Sequence, residues 1–208
     1  MYKVQGIIIR SVEYKEKDKL LTFFTPKGLL LASARGVRSP KSKLKQYCGE
    51  MTFGDFSFTE KGETKILSGA EIYDSFYSVW GEYEKFAAIT YCFELTEKCF
   101  SNEEETSSEF IFLIKLMKEI VYGQSLPCST ALRYAVFCAE SFGVDYSQIE
   151  NYDKESFDVI SAFSKCSAED CGIMPYTEAT VKKALALLNN VFNNFLSFKS
   201  STIKIILK

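Results

Sequence analysis

The chain contains no histidine, a single tryptophan and only four prolines in 208 residues. Without histidine the commonest general base and metal ligand is missing. The Ser-His-Asp, Cys-His and His-Glu-x-x-His arrangements go with it. No G-x-x-x-x-G-K-[ST] phosphate loop occurs either. Long hydrophobic runs are also lacking: the longest, such as Tyr134 to Ala139, fall far short of the roughly 18–20 apolar residues that span a bilayer. Near the N-terminus, Ile7-Ile8-Ile9 stops at Arg10, too short for a signal-peptide core, so no membrane association and a cytoplasmic location are expected. The seven cysteines (48, 92, 99, 128, 138, 166 and 171) are odd in number and too sparse for the framework of a small secreted fold. Several fall inside helical patterns and read as reduced core thiols.

What is present is the composition of a folded protein, 47% hydrophobic and 25% charged, with length for one large domain or two small ones. The net charge of −2 is unevenly spread. Residues 1–80 hold 13 Lys/Arg against 9 Asp/Glu (+4), which leaves 12 against 18 (−6) in residues 81–208. Such asymmetry is what a basic binding module joined to an acidic one produces.

The hydrophobic period separates the same two halves. Tyr2 to Arg10 reads as a strand, with Tyr2, Val4, Gly6, Ile8 and Arg10 on one face and Ile7 and Ile9 on the other. Lys19–Thr25 is a β-rich run that stops at the turn Pro26-Lys27-Gly28, and Leu29–Val37 resumes as its partner. Met51–Thr59, with a bulge at Gly54, and Lys65–Tyr73 complete five short strands. Five strands in about 75 residues predict a small closed barrel, the OB-fold being the commonest of that size and an SH3-like barrel the alternative. From Phe76 the spacing becomes three and four, predicting helices over 76–100, 109–122, 129–142 and 178–198. Residues 144–176 read as irregular with one short helix near 157–163, and Thr202–Leu207 as a short terminal strand. The expected architecture is α+β and multi-domain: an OB-fold over residues 1–76, then an α-helical domain over 77–208.

One segment stands out: Ala34-Arg35-Gly36-Val37-Arg38-Ser39-Pro40-Lys41-Ser42-Lys43-Leu44-Lys45. It holds five cations and no acid in twelve residues, with Gly36 and Pro40 forcing an exposed loop. OB-folds use their second and third strands and the flanking loops to hold oligonucleotides. Arg35, Arg38, Lys41, Lys43 and Lys45 are therefore candidate DNA-binding residues, with Arg10, Lys17 and Lys19 on neighbouring strand ends extending the positive surface. Tyr2, Tyr14, Phe23 and Tyr47 are candidates for stacking on bases.

These residues carry a resemblance. Tyr14-Lys15-Glu16-Lys17-Asp18-Lys19-Leu20-Leu21-Thr22, then Phe24-Thr25-Pro26-Lys27-Gly28, then Ala34-Arg35-Gly36-Val37-Arg38-Ser39-Pro40-Lys41-Ser42 resemble, in order and spacing, the N-terminal signature of the RecO family. The helical remainder matches loosely, through Leu132-Arg133, Phe142-Gly143 and the final helix. The resemblance implies a non-enzymatic recombination mediator with an N-terminal OB-fold. Such a protein binds single- and double-stranded DNA, anneals complementary strands and helps recombinase replace single-strand-binding protein. It also implies two protein partners, RecR and the acidic, phenylalanine-ended tail of single-strand-binding protein. For that tail Arg133, the only arginine after residue 38, is the candidate anchor, lying among Leu132, Val136 and Phe137. Ser39 stands where a second cation is common in the family. Many members bind zinc through four cysteines in the helical domain. Here only Cys166 and Cys171 stand in that region, so 144–176 reads as a degenerate zinc-finger-like stretch without metal, and no cofactor is expected. Two other functions compete: a protein-interaction scaffold with weak DNA binding, and a Mg²⁺-dependent nuclease built from scattered carboxylates.

Overall fold

The computed structural model describes residues 1–208, the side chain of Gln148 excepted. The chain divides into two compact units, Met1–Tyr77 with Phe100–Ile111, and Ser78–Cys99 with Phe112–Lys208.

The first unit is a closed five-stranded barrel. Its strands are β1 (Tyr2–Tyr14), β2 (Asp18–Thr25), β3 (Gly28–Ala34), β4 (Phe53–Lys61) and β5 (Thr64–Asp74), in the spatial order β1-β2-β3-β5-β4. All seams are antiparallel except β3–β5, which is parallel. This is an OB-like barrel. Its interior is filled by Ile8, Leu21, Phe23, Val37, Cys48, Phe56, Phe58 and Leu67. Phe23 sits edge-on to Phe56 and Phe58, with centroids 4.7 and 5.3 Å away. Each such buried ring contributes roughly 1.5–3 kcal/mol of transfer free energy.

Strict alternation along β1 fails at one place. Ile8 faces Phe23 and Arg10 faces Thr22, leaving Ile9 as the extra residue of a bulge. The bulge reverses the facing of the rest of the strand. Arg10 therefore does not share a face with Ile8, as the simple two-residue period predicted. It is exposed, while Ile7, Ile8 and Ile9 are all buried. A second irregularity falls at Gly54, as expected, although the unpaired residue, Tyr73, comes from β5.

The outer wall of the barrel is covered by Phe100, stacked on Phe24 with centroids 5.2 Å apart, and by Phe110, whose centroid lies 6.0 Å from that of Phe24 and 6.1 Å from that of Phe53. The β2–β3 turn is fastened to the same segment. The Gly28 N–H donates to the Thr106 hydroxyl (2.8 Å), and that hydroxyl donates to the Thr25 carbonyl (2.8 Å). Gly28 has φ +83°, and an added Cβ would lie 2.3 Å from the Ser101 carbonyl oxygen, so only glycine fits.

The second unit holds α1 (Tyr83–Cys99), most of α2 (Ser107–Tyr122), α3 (Pro127–Ser141), α4 (Gln148–Tyr152), α5 (Lys154–Ser164), α6 (Glu178–Leu196) and α7 (Ile203–Ile206). The central helix is α3, buried on almost every side. The stretch read as irregular contains two short helices, α4 and α5, and a 3-10 turn over Glu169–Ile173. The predicted terminal strand over 202–207 is instead α7. The Glu94 carboxylate accepts hydrogen bonds from the hydroxyls of Ser200, Ser201 and Thr202, and this gathers the chain into a turn. Ile203 and Ile206, three residues apart, then share the buried face of α7. No helix of the described residues is long and apolar enough to cross a membrane.

Candidate nucleic-acid interface

The basic segment leaves β3 and folds as an ordered cap on the barrel. Two apolar anchors point inward: Val37 is buried in the core and Leu44 packs against it. Backbone ties fix the rest. The Gly36 N–H donates to Asp18 Oδ1 (2.7 Å), and the Arg38 N–H donates to the Lys17 carbonyl (2.9 Å). Gly36 has φ +61°, a left-handed conformation that β-carbon-bearing residues resist. Asp18 and Gly36, both in the signature blocks, thus have a common structural purpose: one caps the turn that the other makes. A 3-10 turn over Lys45–Tyr47 closes the segment.

With Val37 and Leu44 turned in, the cations turn out. Arg35, Arg38, Lys41, Lys43 and Lys45 are all exposed, as are Lys17 on the β1–β2 turn and Arg10. Two of the expected binding residues are committed locally. Arg38 Nη2 pairs with Glu13 Oε2 (2.9 Å) and Nη1 donates to the Glu16 carbonyl (3.1 Å). Lys19 is half-buried and donates to the Ser11 hydroxyl (3.1 Å) and the Cys48 carbonyl (3.4 Å), so it braces the cap rather than presenting its charge. Burial pushes the adjacent Cys48 thiol up to about 11, against the pull of the Lys19 ammonium.

The β3–β5 seam supplies a feature that sequence reasoning missed. It is paired through one bridge, Ser33 with Ile66, whereas every other seam is paired along most of its length. An open groove of about 450 Å³ lies over it, lined by Tyr14, Lys15, Leu31, Arg35 and Lys65 among others. Tyr14 and Leu31 expose 44% and 51% of their surfaces, and the lining carries both cations and the carboxylates of Asp18 and Glu63. The Lys15 ammonium lies 5.1 Å from the Tyr14 ring centroid. Lys15 and Lys65 lie fifty positions apart in sequence, and the barrel alone brings them to one groove. Of the other aromatic candidates, Phe23 is a core residue at 1% exposure, which excludes it from stacking on bases. Tyr2 is half-buried against Phe58, and Tyr47 is half-buried at the end of the cap.

In the second unit Arg133 is not at the surface of its helix. It is 7% exposed, with its guanidinium carbon 4.7 Å from the Phe112 ring centroid and 6.0 Å from that of Phe137. Nε donates to the Cys166 carbonyl (2.7 Å), and Nη1 is buried without a hydrogen-bond partner among the described residues. Leu132 and Val136, expected beside it, are fully buried.

The family's zinc can be tested on the donor set. Cys166 and Cys171 have their sulfurs 3.9 Å apart, but no third His, Cys, Asp or Glu of the described residues joins them. Structural zinc requires four N, S or O donors in a closed tetrahedron. The residues present do not fit it.

Residues 1–76 match the family model described as recombination protein O, N-terminal. Among curated proteins the chain is similar to DNA repair protein RecO of Halalkalibacterium halodurans, 32% identical over 53% of this chain and 43% of the relative. It is also similar to the proteins of that name from Clostridium perfringens (36% identical, covering 54% and 47%) and Shouchella clausii (28%, covering 59% and 48%). The matched region thus spans a little under half the length of these relatives.

Proposed function

The chain belongs to the RecO family of DNA repair proteins, and we propose that it is a non-enzymatic recombination mediator that binds single- and double-stranded DNA, anneals complementary strands and assists recombinase loading. The observation that carries this reading is the cap after β3, whose apolar anchors Val37 and Leu44 pack inward while Arg35, Lys41, Lys43 and Lys45 are exposed. Phosphates of an incoming strand meet Arg35, Lys41, Lys43 and Lys45. The groove over the β3–β5 seam continues the path, with Tyr14 and Leu31 as apolar faces for bases and Lys15, Arg35 and Lys65 among its lining. Neutralising the phosphates of two strands lowers their mutual repulsion, so that bases can search for register. No covalent step is required.

The test is Lys41→Glu combined with Lys43→Glu. Both side chains are exposed and neither has a role in the core. At roughly 0.5–1 kcal/mol per lost contact, affinity for single-stranded DNA falls about tenfold and annealing slows accordingly, with circular dichroism unchanged. Wild-type affinity in the folded double variant removes the cap from the DNA path. Metal-dependent cleavage of labelled DNA by the parent protein instead makes it a nuclease.

Among partners, RecR and the acidic tail of single-strand-binding protein follow from the family. Arg133 supports the second. A buried guanidinium with an unsatisfied N–H gains several kcal/mol of electrostatic compensation from a carboxylate. The flanking Phe112 and Phe137 rings suit a terminal phenylalanine. The Arg133→Met variant keeps the packing volume and loses the charge, and its affinity for a tail peptide should drop at least about tenfold. Unchanged affinity moves the tail to another site.

A further inference from the structure

The two cysteines that do not make a zinc site are placed for different chemistry. We propose that Cys166 and Cys171 are a reversible dithiol–disulfide pair, Cys166 being the thiol attacked by hydroperoxides and Cys171 the resolving thiol. Their sulfurs are 3.9 Å apart, and a disulfide needs about 2.0 Å, a closure within reach of side-chain rotation and a small shift of the intervening turn. Only four residues separate them, so the ring closes at small entropic cost.

The two thiols are not equivalent. Cys166 is half-buried, while Cys171 is 2% exposed and donates to the Ser167 carbonyl (3.5 Å) as well as lying against Cys166. The Cys171 hydrogen bond, and then the Arg133 guanidinium, hold the Cys166 thiol below its usual value, while the same hydrogen bond and burial push Cys171 up. Arg133 is fixed in place because its Nε is bound to the Cys166 carbonyl itself. A buried cation beside the more accessible sulfur is the environment that makes a cysteine reactive. The other five cysteines are all buried. Burial raises the thiols of Cys48 and Cys128 to about 11, and those of Cys92 and Cys138 are raised as well.

The balance is as follows. The Cys166 thiolate attacks the distal oxygen of ROOH, the O–O bond breaks, and the alkoxide leaves as ROH with the thiol's proton. Cys166 is then a sulfenic acid. The Cys171 sulfur attacks the sulfenic sulfur, the S–O bond breaks, and water leaves with the Cys171 proton. Two thiols and one hydroperoxide give a disulfide, an alcohol and water.

The sequence makes the test direct, because cleavage after Lys165 and Lys182 places both cysteines, and no others, on one tryptic peptide. Native protein is treated with dilute hydrogen peroxide, blocked with iodoacetamide and digested. The Cys166–Lys182 peptide should lose two hydrogens and carry no alkyl group, dithiothreitol should restore both alkylation sites, and the peptides of the other five cysteines should be unchanged. The Cys171→Ser variant should accumulate a dimedone-reactive sulfenic acid at Cys166, and Cys166→Ser should show no label at residue 171. Oxidation falling first on the other cysteines overturns the proposal, as does a Cys166–Lys182 peptide that stays reduced. So does one tightly held zinc per chain that protects both thiols.

Discussion

At the scale of single residues, the candidate interface depends on side chains that never touch DNA. Asp18 is the clearest. Its carboxylate takes the Gly36 N–H at 2.7 Å and so fixes the departure of the cap from β3. Asp18→Ala leaves that turn without its acceptor, a cost of about 1–2 kcal/mol. For a chain of this size the melting temperature should fall by about 2–8 °C, and DNA affinity should fall with it although no cation is removed. Calorimetry and a binding titration on one preparation check both. An Asp18→Ala variant with parental affinity means that cap geometry is immaterial to binding. The exposure of Arg35, Lys41, Lys43 and Lys45 was legible in the sequence, because five cations without an acid have no way to be buried together. The engagements of Arg38 with Glu13 and of Lys19 with Cys48 were not. Their partners lie 25 and 29 positions away and meet only when the barrel closes. Arg133 was legible as a lone cation in an apolar stretch, but not as a buried one, since Phe112 comes from a different helix.

At the scale of elements, the five strands were readable because apolar alternation and turn signals agree over residues 1–75. Two things were hidden. The bulge at Ile9 leaves no mark in a run of three isoleucines, yet it decides which way Arg10 faces. The terminal Thr202–Leu207 is β-branched and reads as strand, but the hydroxyl cluster on Glu94 overrides that preference and winds it into α7. Helices α5 and α6 are joined by an ion pair with a pH signature. Asp153 accepts from Lys183 Nζ at 2.9 Å and from the Ser156 hydroxyl, and these hold its carboxyl below the usual aspartate range. A group whose folded value is depressed stabilises above its unfolded value, about 3.9, and loses that contribution as pH falls through the folded value. The parent should therefore melt above Asp153→Asn at pH 7, with the gap closing below about pH 3.9. A gap that persists unchanged at pH 2.5 would show that the ionised pair contributes nothing.

At the scale of the whole molecule, the strands and turns of residues 1–77 carry +4, while Phe100–Ile111 brings four glutamates to the same unit. Within a chain of net charge −2 the positive charge is thus concentrated in the cap and its neighbours rather than spread over the barrel unit. Net charge alone argues against nucleic acid, and the distribution argues for it. Binding through phosphates must then be strongly dependent on salt and indifferent to base sequence, because phosphate contacts position without reading bases. A scaffold that has lost DNA binds weakly at every salt concentration. The measurement that separates them is fluorescence anisotropy of labelled single-stranded DNA across a salt series. About four contacts from Arg35, Lys41, Lys43 and Lys45, at roughly −0.7 each, give a slope of log affinity against log salt near −3. The Lys41→Glu, Lys43→Glu variant should flatten it to about −1.5 or shallower. A parental slope near zero, or a slope near −3 that survives the double substitution, contradicts the account.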